Sequence, residues 1–567
     1  MSLSDYLVTD DLTVILALAA AGLFLLHNLY KPQSLVHPIL LGRQSDAARV
    51  RHPGESAVFR NYGTGMMGRF PVRPAKEQQV LLDLIRPDQD SPRTLWKTKL
   101  TNPELRRRVS ALGTGLIKVA GLVPEDSNVL LLLNDGLEFI IADLALASHA
   151  IPSFTLTSMS LLSTVLENHP PSAIITEAEF LPQLLELIYD SHESSHHTII
   201  VVGEPAAKYN QGLNQIRVIK FAELERQGAQ VEPVASVPTD PLQIFTVSFY
   251  QTPTGQLRGA QFTHESITAG VTAIRSLMPS SGPLSSLDTI VSAHSLSSAY
   301  GRAVAYTALF EGANFATLSS SKLVGTENGL PLDLADTKST EVYPIPSTTL
   351  LFVTPSHLTA LATAINDKAR NSSFLSYSLA WRHKLSGVLE GFFTKQSLWD
   401  RLVFDGARVE VMGKGAGTVR SVIVSGGAIE NQALTPARVA LSVPILIVHS
   451  HPQVSGPVLA THAFDVQSFP NETASPGTSA ADNYAFSYLS AVGAPSINLE
   501  AKLIAVDDAS IEAGEDPVGR LMVRGPSVGV LLDAESKEGE LEKGWFETGE
   551  KAKVLPNGTF KVVPLST

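Results

Sequence analysis

Three short stretches of this chain hold side chains and backbone that can do chemistry. The first is Phe249-Tyr250-Gln251-Thr252-Pro253-Thr254-Gly255-Gln256-Leu257-Arg258-Gly259, which gathers hydroxyls, glycines and one cation directly after an apolar run at 244–247. Residues of these types can cradle phosphate, because glycine lets successive N–H groups converge on the oxygens while hydroxyls and a cation assist. The same composition also makes an ordinary Thr/Gly/Pro turn after a strand. The second stretch carries His449 and His451 at i, i+2, a spacing that invites a metal. Two histidines without a third ligand are more often ordinary residues, so no metal site is assigned. The third is Gly544-Trp545-Phe546-Glu547-Thr548-Gly549-Glu550, which sets a carboxylate close to the end of the sequence. Other chemistry is excluded outright. The chain has no cysteine, which removes thiol nucleophiles, thiolate metal sites and disulfides. Its net charge of −12 and lack of a basic stripe argue against a nucleic-acid partner.

The elements around these stretches alternate. Within 567 residues, 44% apolar and 17% charged, the composition is globular and too long for one ordinary core. Apolar spacing predicts a helix over 105–119, a buried strand over 128–133 and a helix over 137–148. Two more strands are expected at 172–176 and 198–202. Strand–helix alternation of this kind predicts a doubly wound parallel sheet. Residues 203–245 are polar and contain proline, and are expected to connect two lobes. Residues 468–487 are expected to be a loop. Beyond Ala501, short strands at 502–506, 519–524 and 558–563 predict a small β-rich subdomain.

The N-terminal part differs in kind. Residues 12–30, LTVILALAAAGLFLLHNLY, are uncharged and mostly apolar. At ~1.5 Å per helical residue this length approaches the thickness of a hydrocarbon core. Acidic residues precede it and Lys31, Arg43, Arg49 and Arg51 follow it, which places the large domain in the cytosol. An N-terminal transmembrane helix over 1–31 is expected, on the endoplasmic reticulum or another organelle surface; a helix buried in the globular domain is the alternative. Residues 32–94, rich in Pro, Gly, Arg and His, are expected to be a linker and irregular lead-in.

The heptapeptide ending in Glu550 resembles the Gly-Trp-Phe-x-Thr-Gly-Asp segment of the adenylate-forming (AMP-binding) enzymes, and among these the chain looks most like long-chain fatty acyl-CoA synthetases. Phe249 to Gly259 is similar to their Tyr-Thr-Ser-Gly-Thr-Thr-Gly-x-Pro-Lys-Gly loop, and Ser425-Gly426-Gly427-Ala428 to their Ser-Gly-Gly-Ala turn. Val492-Gly493-Ala494-Pro495 and Gly519 to Gly525 follow the family as well. The resemblance implies a two-lobed α/β large domain over 95–567. It implies phosphate contacts at Thr254, Gly255, Arg258 and Gly259, an adenine-side turn at Gly427 and Ala428, and a ribose contact at Glu550. ATP and Mg²⁺ are the cofactors it implies, with fatty acid or acyl-CoA as ligand.

The departures are specific. Where the family has Tyr-Gly-x-Thr-Glu, this chain has His449-Ser450-His451-Pro452-Gln453, so the stacking aromatic becomes His and the magnesium carboxylate becomes Gln. Gln is a poor partner for a hard dication. In the loop, Gln251, Thr252, Pro253 and Leu257 replace Ser, Gly, Ser/Thr and Pro, and Arg258 replaces Lys. The family's histidine four residues before an arginine falls on Ser298, before Arg302; His294 lies one turn earlier and receives no role. The hinge Asp-Arg falls on Pro564-Leu565. A small lysine-bearing C-terminal domain is expected to be absent, and with it a CoA-transfer role. These departures lead to the expectation of a degenerate synthetase with no assigned catalytic residue. It would be anchored at a membrane, binding nucleotide, acyl ligand or a protein partner. The alternative is an active long-chain fatty acid–CoA ligase.

Overall fold

A computed structural model describes residues 11–29, 35–63, 73–190, 198–205, 216–237, 240–323, 342–372, 374–467, 486–532 and 544–564. Buried apolar runs set the frame. Val129–Leu132, Ala173–Glu177 and Thr198–Val202 form strands where expected, because β-branched and leucine-rich runs of this length suit a sheet covered on both faces. They belong to an eight-stranded sheet. Its parallel part runs Ile244–Gln251, Ser153–Leu156, Val129–Leu132, Ala173–Glu177, Thr198–Val202 and Arg217–Lys220. The helix Leu137–Ser148 matches its expectation. The helix predicted over 105–119 begins at Asn102, where Thr101 and Glu104 close a capping box.

A second sheet of nine strands is built around Ile445–His449, Ser421–Val424, Leu350–Val353, Thr289–Ser292 and Asn314–Thr317, all parallel. One apolar core extends across the elements of both sheets. Between them, the helix Ala299–Glu311 carries Arg302, fully buried, toward the first sheet. There its guanidinium donates to Ser248 Oγ at 2.6 Å and Thr246 Oγ1 at 2.8 Å and pairs with Asp143 at 3.5 Å, while the Tyr306 hydroxyl donates to Asp143. A buried charge survives there because it is paired and hydrogen-bonded. Doubly wound α/β architecture is therefore present.

The small β-rich unit is a six-stranded antiparallel sheet, ordered Ser45–Ala47, Phe59–Asn61, Glu500–Ile504, Val518–Arg524, Phe546–Val554 and Phe560–Pro564. Two readings change here. Residues 45–61, expected in the lead-in, supply two of these strands, with Phe59 edge-on to Phe560 at 5.4 Å. Three-residue strands are too short for alternation to show. Likewise the polar 203–245 connection contains the strand Arg217–Lys220 and the helix Phe221–Gly228, which complete the edge of the first sheet. Edge elements expose a face, so their sequence reads polar. The loop expected over 468–487 lies almost wholly outside the described residues.

The N-terminal apolar run is helical over Asp11–Leu29, with Leu12, Ile15, Leu16, Leu18, Phe24 and Leu25 exposed. Among the described residues, however, no helix is long and apolar enough to cross a membrane. The expected transmembrane helix is therefore not supported among the described residues.

Candidate functional site

Parallel strands present their C-terminal ends as a common edge, and ligands of open α/β sheets bind in the crevice outside that edge. Three strands of the second sheet end there. Thr289–Ser292 leads to His294, Ser421–Val424 to Ser425-Gly426-Gly427-Ala428, and Ile445–His449 to Ser450-His451-Pro452. These residues, with Thr157, Ser248, Tyr250, Ser298, Tyr300, Val492, Glu550 and Val562, line a cavity of about 400 Å³.

Gly426 adopts φ +86°, a left-handed conformation that turns the chain sharply away from the strand. The turn is pinned by Ser425, whose N–H donates to the Val353 carbonyl at 2.9 Å. Gly426, Gly427 and Ala428 are exposed at the cavity wall, leaving their backbone open to a flat ligand. The turn expected on the adenine side thus lies at the cavity wall.

Glu550 lies on the strand Phe546–Val554, whose backbone is paired opposite Pro564. It reaches the same cavity. There its Oε2 stands 2.8 Å from His449 Nε2. Burial works to raise the Glu550 carboxyl, but His449 and His451 beside it hold it below the usual carboxylate range. His451 is buried deeply enough for its imidazole to fall to about 4, so it stays neutral near pH 7. It accepts from the Gln453 N–H through Nδ1 at 3.1 Å and packs against Phe546. His294, without a role in the sequence reading, is a cavity wall. Its Nε2 lies 2.7 Å from Ser425 Oγ, its ring meets Tyr300 edge-on at 5.1 Å, and burial lowers it to about 4. The available signal was its place two residues beyond a buried strand. Ser298, which takes the family register, caps the helix Ala299–Glu311 by accepting from the Gly301 N–H.

The loop of the first stretch is a hairpin turn between Ile244–Gln251 and Leu257–Thr263, with Tyr250 paired opposite Arg258. Three of its backbone donors are engaged internally. The Gly255 N–H bonds Thr252 O at 2.9 Å, the Thr252 N–H bonds Gln256 O at 2.9 Å, and the Gln256 N–H bonds Thr252 Oγ1 at 3.1 Å. The Thr252 and Thr254 hydroxyls bond each other at 2.8 Å. Thr254, Gly255 and Arg258 are exposed and none of them lines the cavity. Gly259 is buried where a Cβ would press Phe249 at 3.1 Å and Leu532 at 3.3 Å, so its role in the fold is packing. Only Arg258 reaches toward the cavity, near enough for its charge to act on Tyr250 and His451.

A nucleoside and a metal–triphosphate make different demands here. The open Gly-Gly-Ala backbone and the Glu550 carboxylate fit a nucleoside. The phosphate-binding groups fit less well in this conformation, since the Thr252, Gly255 and Gln256 N–H groups have acceptors within the turn already. Gln453, at the position of the family's magnesium carboxylate, is a poor ligand for that ion. Its amide is engaged as well, donating to Gly529 O at 2.9 Å and accepting from Tyr250 at 3.4 Å.

Residues 88–530 match the profile of the AMP-binding enzymes. The chain belongs to that family. Its curated relatives include mouse long-chain-fatty-acid–CoA ligase 5, 27% identical over 341 residues that cover 58% of this chain and 43% of the mouse protein. Arabidopsis thaliana long chain acyl-CoA synthetase 6, peroxisomal, is 24% identical over 488 residues, 80% of this chain and 60% of that one. The chain thus spans less than two thirds of the length of these relatives. Among solved structures, the anthranilate CoA ligase AuaEII with anthranoyl-AMP superposes with a TM-score of 0.58 at 16% identity, over 85% of this chain and 77% of that one. A benzoate CoA ligase from Burkholderia xenovorans gives 0.58 at 17% identity, over 86% and 80%. At such identities the likeness is one of fold. The family resemblance seen in the motifs, closest to the long-chain synthetases, is thus upheld by the sequence relatives.

Proposed function

We propose that this AMP-binding family member is an acyl-CoA synthetase-like protein that retains the nucleoside half of the family's ATP site and ligates weakly or not at all. The observation that carries the weak-ligation part of this reading is the His449–Glu550 pair. The carboxylate assigned to ribose is already bonded at 2.8 Å to an imidazole that stands where the family has its stacking aromatic. The self-bonded turn over 252–256 and the engaged Gln453 amide support the same reading, because phosphoryl chemistry depends on preorganised charge. Losing one such group typically costs ~10²–10³ in rate. The ligands that fit the reading are a nucleotide and a fatty acid or acyl-CoA, the last two suggested by the names of the relatives.

The exposed apolar helix Asp11–Leu29 supports membrane association, with the large domain in the cytosol at the endoplasmic reticulum or another organelle surface and open to a protein partner. A second reading, an active long-chain fatty acid–CoA ligase using ATP, Mg²⁺ and CoA, is favoured by Arg258, a retained cation whose charge reaches the cavity. Thioester formation from labelled palmitate, Mg-ATP and CoA separates the two. No product above a heat-denatured control is expected; sustained turnover would establish the second reading.

A further inference from the structure

The helix Phe374–Leu389 is apolar on two sides. Tyr377, Ala380, Lys384 and Val388 form a buried stripe against the domain. On the outer side Phe374, Leu375 and Leu379 are more than half exposed, and Arg382 continues the i, i+4, i+7 line of Leu375 and Leu379. The following segment adds Leu398 and Leu402, also exposed and one helical turn apart, with Arg401 between them. An exposed leucine set of this size in one segment is unusual for a surface that meets only water.

The set is held outward by buried charge. Lys384 Nζ lies 2.7 Å from Asp400 Oδ2, and Arg408 lies 2.9 Å from the other oxygen of the same carboxylate. Breaking a buried pair leaves an uncompensated charge, so the helix cannot roll to hide its leucines. The charge around the leucines is mostly positive. Residues 370–402 carry Arg370, Arg382, Lys384, Lys395 and Arg401 against Glu390 and Asp400, in a chain of net charge −12. Asp400 is buried, and Arg382 and Arg401 are exposed without an ion-pair partner among the described residues.

We infer that the helix Phe374–Leu389, with Leu398 and Leu402, is a docking surface for an anionic lipid bilayer. Leucines enter the headgroup boundary while Arg382 and Arg401 meet lipid phosphates, the arrangement of an interfacial helix. Its residues lie far in sequence from the cleft and from the N-terminal helix, so it stands or falls independently of both.

Because the chain has no cysteine, Leu379→Cys gives a single labelling site, and the exposed Glu515→Cys gives a control. Each full-length variant, carrying an environment-sensitive fluorophore, is mixed with phosphatidylcholine vesicles with and without phosphatidylserine. The expected result is a blue-shifted emission at 379, quenched by spin-labelled lipid, on the anionic vesicles and not at 515. Unlabelled Leu375→Glu/Arg382→Glu should reduce sedimentation with those vesicles by about ten-fold with its circular dichroism unchanged. An aqueous signal at 379 on vesicles that have captured the chain would overturn the inference and leave the N-terminal helix as the sole contact. A concentration-dependent shift without vesicles would overturn it in favour of a second copy covering the face.

Discussion

At the scale of single residues, the site turns on which partner Glu550 keeps. His449 competes with any ligand hydroxyl for the carboxylate, through a bond to a charged group of the kind worth ~1.5–3 kcal/mol. His449→Ala is therefore expected to tighten AMP binding about ten-fold by calorimetry. Glu550→Gln should weaken it. Unchanged affinity in His449→Ala would mean that Glu550 does not touch the nucleoside. Sequence made Glu550, Gly427 and Ala428 legible because each sits in a motif with a distinctive neighbourhood. The structure gathers those three at one cavity. Thr254, Gly255 and Gly259 were legible as a motif, but their present geometry was not. Whether a glycine-rich loop opens its N–H groups outward or closes on itself depends on turn geometry that residue types do not dictate. His294 was given no role because its neighbours are formed by the ends of separate strands, distant in sequence.

Among the elements, the hairpin turn at 252–256 makes the clearest prediction. Pro253 has no N–H, and the Thr252, Gly255 and Gln256 N–H groups bond within the turn. Replacing Thr252 and Pro253 together by Gly and Ser removes the Thr252 side-chain acceptor and the proline constraint. The double variant should bind ATP at least several-fold more tightly than the parent, with AMP affinity unchanged; an equal change in both would show that the turn does not reach the phosphates. A second prediction concerns the clamp beneath the helix Phe374–Leu389. Asp400→Ala leaves Lys384 and Arg408 buried without their carboxylate, and should destabilise the domain by roughly 3–5 kcal/mol in urea unfolding. Interior elements such as Val129–Leu132 and Leu137–Ser148 were readable because burial on all sides imposes continuous apolar runs. The short strands Ser45–Ala47 and Phe59–Asn61 were not, since three residues leave no alternation to read, and the pair joins its sheet through Glu500–Ile504, more than four hundred positions from Phe59–Asn61.

For the whole molecule, acid should be the vulnerable direction. His264, His294 and His451 are each lowered by burial to about 4, against 6.5 in the unfolded chain. Between these values the unfolded state binds more protons, so stability present above pH 6.5 is lost as pH falls toward 4. Each histidine contributes a slope of up to about 1.4 kcal/mol per pH unit. Glu550, lowered in the fold, loses its contribution in the same direction. Melting temperature should fall steeply from pH 6.5 to 4.5 and less steeply in His264→Gln, which lies outside the cavity; a flat profile would show that these imidazoles are not buried neutral.

The central claim is that the cleft keeps its nucleoside contacts and has lost those for metal–triphosphate. Calorimetric titration of the full chain with AMP and with ATP, each with and without Mg²⁺, tests it most directly. AMP and ATP binding with similar affinity, indifferent to magnesium, is the predicted result. ATP binding that is much tighter than AMP and requires magnesium would contradict it.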